Sequence, residues 1–268
     1  MKKADLHLHS RVSDGSFTIA ELAEEAARRG LDAIAVTDHD TLSHLRQIPA
    51  GLPVQVAGGI EISAMDPESG KKAHILGYRI RDIEAVEQFV RPLLEARHRN
   101  SMRQIEVLNR NGYRVDPDAL RKADGKYIYK QHIMEYLVKT GQAPDMFGAF
   151  YQRVFKNGGI CAFDITYLDP FEAVRVIREA GGLAVLAHSG QQKNFPLIPR
   201  LFSCGLNGLE LNHPSHSEQD RAVIRSFAEE YGLFLTGGSD FHGEYEPEAP
   251  GIGSFLAEES GVQAVCSE

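Results

Sequence analysis

Along the chain, apolar runs of strand length alternate with segments in which apolar residues recur every three or four positions. ADLHLH, LDAIAVTDH, PVQVAGGIEIS, AHILGYRI, GGLAVLAHS, GLELNH and LFLTGGSDFH read as strands, because each is a short aliphatic run bounded by turn-forming or polar residues. Between them, Thr18-Ile-Ala-Glu21 is a capping box that predicts a helix closed by Gly30, and Asp169-Pro170 with Glu172 predicts another that ends at Gly181-Gly182. Such alternation is the pattern of an α/β fold on a mostly parallel sheet. From about residue 84 to 157 the pattern changes. EAVEQFVRPLLEARHRNSMRQIEVLNRNG, QHIMEYLVKTG and PDMFGAFYQRVFKNGG follow one another as helices with no strand between them. The expected organisation is an α/β domain made of residues 1–83 and 158–268, with residues 84–157 inserted as a helical segment that lids the active site.

Candidate chemistry emerges where the strands end. Alternate side chains of a strand share a face, so His7 and His9 point together while Leu6 and Leu8 point away. The other strands repeat the theme at or near their C-terminal ends: His39 after LDAIAVT, Glu61 in GGIEIS, His188 after LAVLA, and Asp240 with His242 in SDFH. Asp14 lies in the loop after the first strand, and His74 is the exception, opening its strand rather than closing it. In parallel α/β sheets and barrels, the C-terminal strand ends form the face where active sites assemble. Six imidazoles and three carboxylates exceed the roughly four ligands that one zinc ion takes. The inventory suits two to three borderline divalent ions, Mn, Zn or Fe, with a carboxylate bridging them.

Charge and composition narrow the partner. Lys and Arg number 29 against 37 Asp and Glu, a net charge of −8, which argues against a surface that coats a polyanion such as long nucleic acid. The opening MKKADLHLHS lacks the apolar core of a signal peptide, and no window approaches the roughly 18 apolar residues of a membrane span, so a cytoplasmic protein without a membrane partner is expected. Cys161, Cys204 and Cys266 form no CxxC pair, which suggests neither a disulfide framework nor a thiolate metal site. Neither a serine elbow nor a P-loop is present in the sequence.

Taken together, HLHS, SDG, TDHD, GIEIS, AHILGY, AHSG and GSDFHG resemble the PHP (polymerase and histidinol phosphatase) family over most of the chain outside the insertion. The resemblance implies a distorted, TIM-like (β/α)7 barrel with a trinuclear metal centre. It assigns His7, His9, Glu61 and Asp240 to one ion, Glu61, His74 and His188 to a second, and Asp14, His39 and His242 to a third. The helical insertion followed by AGGLAVLAH is most similar to the branch of small-nucleotide phosphatases, including nucleoside bisphosphatases. The expected activity is hydrolysis of a small phosphorylated metabolite, nucleotide-like or nucleoside 3',5'-bisphosphate-like, by a hydroxide generated at the ions.

Cyclic phosphodiester hydrolysis on a sugar, histidinol phosphate hydrolysis, exonuclease action on short oligonucleotides and a non-catalytic metal-binding scaffold stay open as alternatives. An amidohydrolase also opens with HxH, but it would normally add a metal-bridging lysine and would not need Asp14, TDHD or Glu61. Besides Asp240, NHPSHS offers His213 and His216 as catalytic acids, with His216 at the position more typical of relatives, and His213 also as a substrate contact. Relatives usually read Gly-Arg-Pro-His where this chain has Tyr129-Lys130-Gln131-His132. Lys130 and His132 are therefore the expected substrate-binding residues of the insertion, with a point charge in place of a forked guanidinium.

Overall fold

A computed structural model describes residues 2–120, 127–245 and 250–267. The strands β1 (Ala4–Leu8), β2 (Ala33–Val36), β3 (Gln55–Ile62), β4 (Ile75–Tyr78), β5 (Leu183–Leu186), β6 (Gly208–Asn212) and β7 (Phe234–Gly237) form one seven-stranded sheet in sequence order. The sheet curls until Leu8 bridges Phe241, just beyond β7, and the His9 N–H donates to the Phe241 carbonyl at 3.0 Å. The result is a nearly closed, TIM-like barrel. It departs from a regular one in having seven strands rather than eight and in β4, which runs antiparallel to both β3 and β5, while the other neighbours are parallel.

The helices are α1 (Ile19–Arg28), α2 (Ile83–Arg110), α3 (Lys130–Lys139), α4 (Ala149–Phe155), α5 (Pro170–Glu179), α6 (Ser189–Gln192), α7 (Ile198–Ser203), α8 (Glu218–Tyr231) and α9 (Glu259–Cys266). Their ends follow the local chemistry. Thr18 Oγ1 accepts from the Glu21 N–H at 3.2 Å, and Glu21 returns the bond by accepting from the Thr18 N–H at 2.7 Å. Asp169 caps α5 by accepting from the Phe171 N–H at 2.7 Å, with Pro170 at the first helical position. The helix expected over PDMFGAFYQRVF starts only at Ala149, because the Asp145 carboxylate accepts from the Gly148 N–H and holds the preceding residues in a turn.

Buried apolar groups fix the architecture. Ile60, Ile62 and Ile75 pack beneath Val174, Ile177, Ile198 and Ile224 of the surrounding helices. Leu6, Leu76, Tyr78 and Val185 pack with Val262 and Val265 of α9. Gln55, the first residue of β3, donates to the Cys266 carbonyl at 3.0 Å, so α9 stoppers the barrel at the end opposite the C-terminal strand ends. A further group belongs to the helical segment: Ile105, Leu108, Ile133, Leu137, Phe150 and Phe155 bury one another. Helix α2 serves two cores, with Val86, Val90 and Leu94 on the barrel side and Ile105 and Leu108 in the helical segment. At about 1.5–3 kcal/mol for each large apolar side chain fully buried, that sharing ties the two parts together. None of the described helices is long and apolar enough to cross a membrane.

Candidate metal centre

The β1 register shifts between Asp5 and Leu8. Leu6 therefore packs with the interior group and Leu8 beneath α1, while the His7 and His9 rings stand 5.2 Å apart. Gly238 permits the adjoining end of β7 to close in, since a Cβ there would lie 2.4 Å from the His7 Cβ and 2.5 Å from its backbone nitrogen.

Glu61 is the hub. Its Oε2 lies 3.1 Å from His7 Nε2 and 3.1 Å from His9 Nε2, and its Oε1 lies 2.7 Å from His74 Nδ1 and 2.8 Å from His188 Nε2. Asp240 Oδ1 is 3.4 Å from His7 Nε2 and 3.2 Å from His9 Nε2. On the other side of His9, Asp14 reaches His9 Nδ1 at 3.7 Å, His242 Nε2 at 3.6 Å and His39 Nε2 at 4.0 Å. All nine groups singled out in the sequence thus meet at one end of the barrel. Strand direction explains His74: Ile75 pairs with Ile62 of β3 and with Leu186 of β5, so the reversed strand begins where its parallel neighbours finish.

Three sets of donor atoms can each hold an ion, with all members within 4.8 Å of one another: His9, Asp14, His39 and His242; His7, His9, Glu61 and Asp240; and His39, Glu61 and His74. Two donors each ~2.1 Å from one tetrahedral ion lie about 3.4 Å apart, close to the 3.2–3.4 Å spacings around Asp240 and a few tenths of an ångström wider than the 2.7–3.1 Å around Glu61. Both ring nitrogens of His9 and Oδ1 of Asp240 are buried yet make no hydrogen bond. Buried polar atoms are ordinarily paired, so this donor set fits divalent cations.

The electrostatics agree. Burial raises the Asp14 pKa, but His39, His242 and His9 outweigh it and hold the carboxyl down at about 2. Glu61 is likewise held well below the usual carboxylate range, burial being outweighed by His39, His7 and His74. In return, burial disfavours protonated His9, but Asp240, Glu61 and Asp14 overcome it and push the ring up to about 10. Burial brings His39 down to about 4 despite Glu61 and Asp14. Cations binding here displace protons from such imidazoles. Backbone strain marks the same place, since His188 (φ 27°) and Asp240 (φ 52°) adopt left-handed conformations uncommon outside glycine.

Around the nine lie groups that the sequence reading did not single out. Glu210, fully buried in β6, accepts from His7 Nδ1 at 2.9 Å and from the His188 N–H at 2.8 Å. His7 is thereby fixed as the Nδ1–H tautomer with Nε2 facing Glu61 and Asp240, a carboxylate–histidine relay of the kind that orients metal ligands. A glutamate in the middle of the apolar GLELN strand was its only signal. Asp38 accepts from the Ser10 N–H and hydroxyl at 2.8 and 2.6 Å and from the Ser13 hydroxyl at 2.6 Å, pinning the loop that carries Asp14.

His213 and His216 lie with ring centroids 5.5 Å apart but face different partners. Both ring nitrogens of His216 are engaged by backbone: Nδ1 with the Leu211 carbonyl at 2.8 Å, and Nε2 with the Gly190 N–H at 3.2 Å. His213 Nδ1 accepts from the Ser215 N–H at 3.1 Å, which leaves the proton on Nε2, 3.4 Å from Asp240 Oδ2. His132 is buried, and its Nδ1 accepts from the Tyr129 N–H at 3.3 Å, capping its own helix. Lys130 Nζ and Lys156 Nζ stand 5.9 and 6.0 Å from the Tyr151 ring centroid, and Lys72 Nζ is 5.3 Å from that of Tyr167. Burial and the neighbouring Lys156, Arg97 and Lys72 push Lys130 down to about 8, with Asp164 acting weakly the other way.

The family model described as PHP domain matches residues 5–123. Over 90% of this chain and 94% of the relative, the sequence is 44% identical to a phosphoribosyl 1,2-cyclic phosphate 1,2-diphosphodiesterase of Eggerthella lenta. Over 94% of this chain and 90% of the relative, it is 32% identical to a 3',5'-nucleoside bisphosphate phosphatase of Chromobacterium violaceum. Among solved structures, a protein of Bifidobacterium adolescentis assigned as a metal-dependent phosphoesterase superposes with a TM-score of 0.87 at 26% identity, covering 98% of this chain and 94% of that one.

Proposed function

The chain belongs to the PHP family and is a hydrolase of phosphoric esters; we propose that it uses two to three divalent ions, Mn, Zn or Fe, to cleave a small phosphorylated metabolite. The observation that carries this reading is the set of four imidazoles crowded on the two oxygens of Glu61, at 2.7–3.1 Å, a geometry for bridging cations. His7, His9, Glu61 and Asp240 would hold one ion, Glu61, His74 and His188 a second, and Asp14, His39 and His242 a third. When bound, such ions activate a water as nucleophile and neutralise the phosphoryl oxygens during in-line displacement.

The chain's own residues do the rest. Glu61 and Asp240 stay ionised and keep the donor set anionic. Glu210 locks the tautomer of His7. His213, with its proton on Nε2 beside Asp240, is placed to donate to the leaving oxygen, whereas His216 is committed to backbone. Lys130, with Lys156 and Lys72 close enough to push its pKa down, makes a basic cluster on an otherwise acidic protein, and would attract an anionic group remote from the reacting ester.

A nucleoside bisphosphate uses both features, the ions for the scissile phosphate and the lysines for the second. A sugar cyclic phosphate is a comparable reading, supported by the 44% identical cyclic phosphodiesterase. The test is to strip the protein with chelator, reload it with Mn2+, count ions by elemental analysis and assay phosphate release from 3',5'-bisphosphates and ribose cyclic phosphates. Two or more ions per chain with chelator-sensitive turnover are expected. One ion or none, or no hydrolysis of either class, refutes the reading.

A further inference from the structure

The helical segment does not merely overhang the site; its first turn grips the side that carries Asp14 and His39. Gln131 Nε2 donates to Asp14 Oδ2 at 2.9 Å, a direction fixed because a carboxylate can only accept. The Tyr129 hydroxyl donates to the His39 carbonyl at 2.7 Å. From α2, Arg97 Nη2 donates to Asp40 Oδ2 at 2.6 Å and to Ser63 Oγ at 3.1 Å, and its guanidinium lies 5.3 Å from the Tyr129 ring. Ser63 Oγ in turn sits 3.4 Å from His39 Nδ1, and Asp40 holds the Ser63 N–H at 2.7 Å. Asp40 follows His39 directly and keeps a φ of 58°, a conformation this web of bonds over-determines. No corresponding bond from α2 or α3 reaches His7, His9, His74 or His188 among the described residues.

We infer that Gln131 and Tyr129 are positioning residues of the Asp14/His39/His242 ion site, so that the affinity of this one ion depends on how the helical segment is seated. The inference rests on the multi-ion reading above. Hydrogen-bonding partners of metal ligands typically contribute 10- to 100-fold to affinity, and here those partners come from a separately packed element rather than from the barrel that supplies the ligands. A substrate that shifted α3 would thereby alter the hold on one ion and leave the others as they were.

The experiment uses full-length protein stripped of metal and reloaded with Mn2+ alone. Ion release is followed by chelator titration for the wild type, Gln131→Met, which keeps the length of the side chain without its donor, Tyr129→Phe and Asp14→Asn. The expected result is that Gln131→Met and Tyr129→Phe each release one ion at about 10- to 100-fold lower chelator strength, hold the remainder as wild type does, and weaken the same ion that Asp14→Asn removes. The metal-free variants should keep the wild-type circular dichroism spectrum. Wild-type protein that holds two or more ions, with variants whose release curves overlay it or shift for all ions alike, overturns the positioning role alone. Wild-type protein that holds one ion or none overturns the multi-ion reading and this inference with it.

Discussion

Replacing Glu210 by glutamine changes almost no volume and yet should cripple the ion site. In the native arrangement one carboxylate oxygen accepts from His7 Nδ1 at 2.9 Å and the other from the His188 N–H at 2.8 Å. The backbone donor cannot change, so the single oxygen of a glutamine must serve it. The amide NH2 then faces His7 Nδ1, which can only respond by giving up its proton. His7 becomes the Nε2–H tautomer, and the nitrogen aimed at Glu61 and Asp240 turns from ligand into donor. Loss of such a partner costs about 10- to 100-fold in metal affinity, or roughly 1.4–2.8 kcal/mol, similar to the 1.5–3 kcal/mol of one hydrogen bond to a charged group. Chelator competition on Mn2+-loaded Glu210→Gln reads the affinity, and turnover at saturating Mn2+ should recover part of the loss. A variant that binds ions within about twofold of wild type, well inside the range for such partners, would show that the relay does not orient His7.

Removing a ligand outright, by His9→Ala or Asp240→Asn, should lower turnover by orders of magnitude with circular dichroism unchanged; turnover within about threefold of wild type, only about 0.65 kcal/mol of barrier, would refute the ion assignments. Lys130→Ala should reduce kcat/KM on a doubly anionic substrate by about 10- to 150-fold, from the loss of a roughly 1.5–3 kcal/mol contact, but spare p-nitrophenyl phosphate. Equal losses on both would move Lys130 to the reacting phosphate. His213→Asn should cost about 10²- to 10⁴-fold on an alkyl phosphate and far less on p-nitrophenyl phosphate, whose leaving group needs no proton; an equal cost on both argues against proton donation. For pH, the signs differ by group. Asp14 and Glu210, each held at about 2 against ordinary values of 3.8 and 4.5, stabilise the fold above those values and cease to as pH falls towards 2. His9, raised from 6.5 to about 10, stabilises below 6.5 and ceases to as pH rises through 10. Metal-free protein should therefore melt highest near pH 5–6 and Mn2+-loaded protein nearer pH 8, because ions require deprotonated rings; parallel melting profiles would refute this.

The strand pattern and the nine convergent groups were legible because each depends on local chemistry: aliphatic runs, capping boxes at Thr18 and Asp169, and ligand-type residues at strand ends. The reversal of β4 was not, since antiparallel and parallel strands share the same side-chain periodicity and AHILGYRI carries no sign of direction. His74 at the start of its strand was the visible trace. Among the candidates from NHPSHS, sequence could not tell a histidine whose two nitrogens are consumed by backbone, His216, from one that keeps a proton facing Asp240, His213. That distinction rests on where the Leu211 carbonyl and the Gly190 and Ser215 amides fall.

Residues hidden in the sequence share a cause. Glu210 and Gln131 bond to the ligands His7 and Asp14, and Arg97 to Asp40 and Ser63 beside His39, all far away along the chain, so no spacing rule could join them. What they do have is a breach of local expectation: a glutamate inside an apolar strand, a half-buried arginine paired with the fully buried Asp40, and a helix whose first turn carries Lys130 and no acid, against the direction of its dipole. A chain selected for stability alone would remove such conflicts, and they persist where a site needs charge held in place. The strained φ angles at Asp40, His188 and Asp240 fall in the same region. The cost of the site is thus borne by a few atoms at the barrel mouth, and the core beneath, stoppered by α9 and layered by α5, α7 and α8, follows ordinary packing rules.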